Sequence, residues 1–279
     1  MIPLSQPLDR PAKDASLALA KYCGWICFGL FLATFVLVAA SVARPQTLPP
    51  GVITGAEGFL IFFTAVTTLF AMSRHLPLQN VLLATAIIAV IGSVVTWVGL
   101  KTSVPFGPFI YGEQMQPRVG GLPLVIPFIW VIAVLNSRGV ARLVLRPWRK
   151  TRKYGYWVIG FTIVICVMLD MGWEIFLGPV KHYVLWGQTR LAFSWNGVPL
   201  INFLGWILTL LLMLAFSTPV MINKRRTRSN PDYHPLIVWV LLNALFALGA
   251  GRDHMWSAVI AIAIYSVLVI GFAVRGARW

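Results

Sequence analysis

Asp170 and Glu174 stand four residues apart in the apolar run VIGFTIVICVMLDMGWEIFLGPV. On a helix that spacing puts both carboxyls on one face. Neither has a Lys or Arg at i±3 or i±4; the nearest cations in the chain are Lys153 and Lys181. A carboxylate in hydrocarbon costs several kcal/mol, so such acids face a bundle interior and are functional by default. Two neighbouring carboxyls in low dielectric resist carrying two charges, which leaves a protonated acid near neutral pH. A protonated acid beside a second carboxyl is the equipment of general acid–base catalysis. The bland alternative is a pair satisfied by donors from neighbouring helices.

Other polar groups could join them. Asn202 lies one turn into a later apolar run, with Asn196 just before it. Its amide either bonds another helix or orients a water beside the acids. Tyr111 and Glu113 sit in a loop that could line the same pocket. Glu57 is a weaker third acid, equally readable as a solvated acid at a helix N-terminus, where the dipole favours it. The histidines suggest no ligand set: Asp170, Glu174 and His182 have suitable types but no recognised metal spacing. Cys23, Cys27 and Cys166 all lie in apolar runs and read as small hydrophobes.

The elements that must position these groups are membrane spans. The chain is 58% hydrophobic and 11% charged, with mean hydropathy +0.80, against about 25% charged residues in soluble domains. Eight runs can cross about 30 Å of hydrocarbon, near 22–43, 56–73, 80–100, 122–137, 155–176, 199–222, 235–251 and 255–274. The expected fold is therefore an all-α polytopic bundle, a single transmembrane domain over 1–279 with a cytoplasmic segment at 1–21. The formal net charge of +15 could suggest nucleic acid, but its distribution argues against that partner. Counted on alternate sides of the spans, 17 Lys and Arg fall on one side and 6 on the other. The positive-inside rule then puts both termini in the cytoplasm of a cell (inner) membrane protein. PWRKTRK and NKRRTR read as topology anchors beside anionic lipid.

Two stretches echo each other at an offset of 76: GLPLVIPFIW (121–130) and GVPLINFLGW (197–206). Gly121 matches Gly197, Pro123 matches Pro199 and Trp130 matches Trp206. Each Gly-x-Pro reads as the end of a polar loop and the start of a helix, since proline is tolerated in a first turn. The loops before them, TSVPFGPFIYGEQMQPRVGG and LGPVKHYVLWGQTRLAFSWNG, are extracytoplasmic and rich in aromatic residues, which suit the membrane interface. Both copies cross in the same direction, so they are not halves of an inverted transporter repeat.

These residues carry a resemblance. VPFGPFIYGEQMQPRVGGLPLVIPFIW, and LDMGWEIFLGPV followed by WNGVPLINFLGW, resemble the signature blocks of the membrane carotenoid hydratases, of gamma-carotene 1'-hydratase and bacterioruberin hydratase type. The resemblance covers about residues 90–225, and GVPL-x-NF-x-GW is its most specific element. It implies cofactor-free addition of water to the terminal double bond of a linear carotenoid, giving a tertiary alcohol. It marks Asp170, Glu174, Asn202, Phe106, Gly107 and Tyr111 as motif positions. Glu174 stands where that family usually has Asp, and Thr96 near where many members have Glu, an acid that Glu57 could supply instead. Ser103 replaces a usual Gly, and Ile110 and Gly112 loosen a Y-x-Y pattern.

Hydration of an alkene fits the acids: protonation gives a tertiary cation, and water captures it while a base takes a proton. Aromatic faces from Trp97, Trp173, Trp195 and Phe106 suit a passing cation. The implied partners are a lipophilic carotenoid, membrane lipid and other enzymes of the carotenoid pathway. The competing expectations are another isoprenoid-lipid enzyme, an isomerase or cyclase on the same scaffold, and a small-molecule or lipid transporter.

Overall fold

The structure is a computed structural model describing residues 10–47, 49–188, 193–222 and 231–279. It contains eight long helices: α1 (Arg10–Ala43), α2 (Pro50–Ser73), α3 (Leu78–Thr102), α4 (Ile126–Val144), α5 (Tyr154–Ile175), α6 (Leu200–Ser217), α7 (His234–Arg252) and α8 (Trp256–Ala277). Each contains a stretch long and apolar enough to cross a membrane. Long apolar runs make this outcome compulsory: in lipid, only a helix satisfies its own backbone. The NKRRTR segment and Arg190 lie outside the described residues.

α4 is the central helix, packed against α2, α3, α5, α7 and α8, and most of its residues are buried. Polar bonds tie it to its neighbours. Trp130 Nε1 donates to Thr96 Oγ1 on α3 at 2.9 Å, and Asn136 Nδ2 to Thr68 Oγ1 on α2 at 2.8 Å. Small residues let other helices approach: a Cβ at Gly139 would lie 2.5 Å from Pro235 on α7, and one at Gly172 would lie 2.9 Å from Phe246.

Several boundaries depart from the sequence expectation: α1 begins at Arg10 rather than 22, α2 at Pro50 rather than 56, and α6 ends at Ser217 rather than 222. The fourth span is Ile126–Val144 rather than 122–137, so Arg138, expected to open a loop, belongs to the helix and is buried like Asn136 and Ser137. Their polarity argues for a helix end only if the helix faces lipid; α4 instead faces protein on nearly all sides. The fifth span runs on past 176, because α5 widens into a π-helical turn at Phe176–Val180 that carries Pro179 inside it.

The loops before α4 and α6 carry regular structure of their own. The two Gly-x-Pro elements form the turn and second strand of tight hairpins; Pro199 is at the same time the N-cap of α6, as expected, whereas after Pro123 the helix begins only at Ile126. β2 (Arg118–Val119) pairs with β3 (Leu122–Pro123), and β5 (Ser194–Trp195) with β6 (Val198–Pro199). Each hairpin turns on two left-handed residues, Gly120–Gly121 with φ 60° and 88°, and Asn196–Gly197 with φ 46° and 89°. Two-residue turns with positive φ at both positions match strand twist and favour Gly-Gly and Asn-Gly. A third pair joins β1 (Phe109–Tyr111) to β4 (Val184–Trp186), antiparallel, and ties the loop before α4 to the loop after α5.

Candidate active site

The echo has a spatial meaning. The hairpins lead into α4 and α6, and Trp130 and Trp206 lie against each other with ring centroids 3.9 Å apart and planes tilted by 35°. Phe106 wedges beside them, because α3 and α6 carry glycines where it sits. A Cβ at Gly99 or at Gly205 would lie 2.7 Å from its ring. Gly107, at φ 89°, turns the chain behind that wedge with its N–H bonded to the Ser103 carbonyl at 2.8 Å.

These rings enclose a cavity of about 40 Å³. α5 supplies Trp173, Glu174 and Leu177 to its wall, α6 supplies Asn202 and Trp206, and α3 supplies Thr96. The β1–β4 ribbon covers it with Phe109, Tyr111, Val184 and Trp186. Glu174 is 8% exposed. Asn202 and Trp206 are the side chains that reach its carboxyl. The Asn202 approach is loose: its Nδ2 completes no hydrogen bond, and neither does Glu174 Oε2. Tyr111 stands within electrostatic range of Glu174, and burial, with that neighbouring charge second, pushes its phenol above the ordinary tyrosine range. Its hydroxyl therefore keeps its proton at any physiological pH.

Asp170 lies one turn deeper. It is 2% exposed, with neither oxygen hydrogen-bonded among the described residues. It does not line the cavity. Glu174 lies beside it, together with Cys166 and the Tyr265 hydroxyl, which itself donates to Asn243 Oδ1 at 2.7 Å. Asp170 thus backs Glu174 from inside the bundle rather than facing a substrate.

Glu57 belongs elsewhere, and it is no solvated helix-end acid. It is buried, its Oε1 lies 2.6 Å from Lys181 Nζ, and Tyr183 donates to its Oε2 at 2.5 Å. It lines a second, larger cavity of about 110 Å³, otherwise walled largely by α2, α4, α5 and α7. Ile129, Trp173 and Leu177 line both cavities and so form the partition between them.

Two aromatic candidates stand apart. Trp97 is 44% exposed, held at the surface by a bond from Nε1 to the Gly120 carbonyl at 3.2 Å. Trp195 is half-buried in β5, outside both cavities. Among the described residues no three His, Cys, Asp or Glu side chains gather as a metal-binding group, so Asp170, Glu174 and His182 do not form one. Sequence reasoning missed Trp206 and Trp186 as wall residues. The Trp130–Trp206 match at the echo's end was the available signal for the first; nothing local marked the second.

The sequence model of the carotenoid biosynthesis protein family matches residues 55–272. The chain belongs to the carotenoid biosynthesis protein family. Its role therefore lies in carotenoid biosynthesis, and the matched segment takes in the smaller cavity, most of the larger one and all or most of seven helices, α2 to α8. No curated protein and no solved structure matches the chain.

Proposed function

We propose that this member of the family hydrates the terminal C=C bond of a linear carotenoid end group, using its own carboxyls and no cofactor. The observation that carries the reading is Glu174: a buried acid that, among the described residues, has no paired cation, set in an aromatic cavity beside an amide N–H group that completes no hydrogen bond there.

The cavity sizes divide the work. About 10–15 Å³ of such volume holds one water, so about 40 Å³ suits one or a few waters and not an isoprenoid end. The 110 Å³ cavity is mostly apolar and suits the branched end of the polyene, and the reaction requires the Trp173 and Leu177 side chains of the shared wall to move aside so that the terminal double bond comes within hydrogen-bond reach of Glu174 and of its water. Glu174 gives its proton to the less substituted alkene carbon, and the electron pair of the double bond forms the new C–H bond. The tertiary cation left behind faces Trp173, whose ring stabilises it. A water held by Asn202 Nδ2 attacks the cation, and the resulting oxonium returns a proton to the Glu174 carboxylate. One water is consumed and Glu174 ends as it began. Asp170 acts through Glu174 as a positioning residue, since it touches neither cavity.

Capture by water separates hydration from isomerisation or cyclisation, which would share the first protonation and then lose a proton. Asn202 Nδ2, which completes no hydrogen bond among the described residues, favours capture. The test is pigment analysis of a lycopene-producing host expressing the chain. The expected product is heavier by one water per reacting end. Glu174→Gln should cut its yield by about 10²–10⁴, the usual loss for a general acid–base group, while Glu174→Asp keeps measurable activity. Asp170→Asn should be impaired but remain above Glu174→Gln. A wild-type chain that adds no water to lycopene, gamma-carotene or a longer acyclic carotenoid sinks the substrate assignment. An active Glu174→Gln sinks the mechanism.

A further inference from the structure

Arg138 is a cation where none is expected. It lies in α4, six residues before the helix ends at Val144, or about 9 Å inside that end at 1.5 Å per residue. A snorkelling arginine would keep its guanidinium in water; this one is 7% exposed, and its Nη1 has no hydrogen-bond partner. Arg138 enters none of the ion pairs among the described residues. Among the described residues, the acids whose side chains are placed are paired with other cations or lie far from it. Glu57 holds Lys181, Asp232 holds Arg74 and His75, and Asp253 holds Arg252. Asp170 and Glu174 lie in the opposite half of α5, and Glu113 lies in the loop at the other end of α4.

Among the described residues, the groups that act on Arg138 are positive or neutral. Arg142, one turn on, and Tyr154 are the groups within electrostatic range. Tyr154 begins α5, and the free N–H groups of a helix N-terminus add partial positive charge. A buried guanidinium left without an anion is costly. Its planar fork matches a phosphate bidentately, and basic pockets at the cytoplasmic ends of membrane helices take anionic headgroups.

We propose that Arg138 and Arg142, at the junction of α4 with the α5 N-terminus, bind one phosphate-bearing anion, the phosphodiester of an anionic lipid. The site is separate from both cavities, so it stands whether or not the hydration reading does.

The test uses full-length protein, delipidated in a neutral detergent. Thermal unfolding is followed against dioctanoyl phosphatidylglycerol, dioctanoyl phosphatidylcholine and inorganic phosphate. The expected result is a saturable rise in Tm with phosphatidylglycerol and none with phosphatidylcholine. Arg138→Gln should weaken that binding at least about tenfold, the equivalent of one charge-assisted hydrogen bond. If inorganic phosphate alone gives the same saturable rise, the site stands and its source is the free ion. Should Arg138→Gln fail to accumulate, Arg138→Lys and Arg142→Gln carry the comparison, each with reduced affinity. No preference for phosphatidylglycerol over phosphatidylcholine without a phosphate response, or unchanged affinity in the variants that fold, overturns the proposal.

Discussion

The wall of the smaller cavity can be moved without touching an acid, through Gly92 on α3. A Cβ added there would lie 2.5 Å from two atoms of the Trp130 ring and 2.7 Å from Met213 Cε. Carbon atoms rest at about 3.5–4.0 Å, so something must give by about 1 Å. The methionine end can swing. The indole cannot: it lies against Trp206 and is bonded to Thr96 at 2.9 Å. Overpacking of this kind costs about 1–3 kcal/mol, and breaking the indole bond adds about 0.5–1.5 kcal/mol. Alanine recovers about 0.5–1 kcal/mol over glycine within a helix. The net loss for Gly92→Ala is about 1–3 kcal/mol, read as a fall of several degrees in Tm. The functional loss should be larger. Trp206 is one of two side chains reaching Glu174, and a 1 Å misplacement at a reacting centre can cost about 10² in rate. Gly271→Ala on α8 is the control, since nothing lies within 4 Å of its added Cβ; it should keep full product yield. A Gly92→Ala protein with wild-type Tm and wild-type yield would refute the claim that a rigid Trp130–Trp206 pair positions Glu174.

Lys181→Met should destabilise the protein by about 3–5 kcal/mol, the usual result of stripping one partner from a buried ion pair, and Lys181→Met with Glu57→Gln should regain most of that loss; a double variant no more stable than the single one would contradict the pairing. A reporter fused after Trp279 should be active only in the cytoplasm, as the uneven distribution of Lys and Arg requires; periplasmic activity would place the cavities at the opposite leaflet.

The number and rough placement of the spans were legible in the sequence because lipid leaves an apolar run no alternative to a helix. The acid pair was legible for the same reason: carboxyls at i and i+4 in hydrocarbon stand out. Other features were hidden because they depend on what packs against what. The basic stretch from Arg138 onward read as a loop, yet α4 is central and buries Arg138 within it. Gly120–Gly121 and Asn196–Gly197 carry a hairpin signal beside a proline that signals a helix start; the second copy satisfies both, with Pro199 closing the hairpin and capping α6, while in the first the helix waits until Ile126. Asp170 and Glu174 share a helix face, yet one turn of helix decides that only Glu174 reaches the cavity. No period in the sequence reports where a cavity stops along a helix axis.

Lys181 shows why such distinctions matter to the chemistry. In sequence it is the closest cation on the C-terminal side of Glu174, and an ordinary continuation of α5 would have kept it near that end of the helix. The π-helical turn around Pro179 ends the helix at Lys181 instead, and the next residue, His182, takes a left-handed conformation with φ 53°. Lys181 meets Glu57 on α2 at 2.6 Å. Had it reached Glu174, it would have held that carboxyl as an anion, which can accept a proton but has none to give. By neutralising Glu57 it also leaves the larger cavity without a net charge in its wall, a surface that an apolar polyene end can enter at low desolvation cost. The same deviation in one helix end therefore serves both halves of the proposed reaction: an acid free to protonate, and a neighbouring chamber fit for what it protonates.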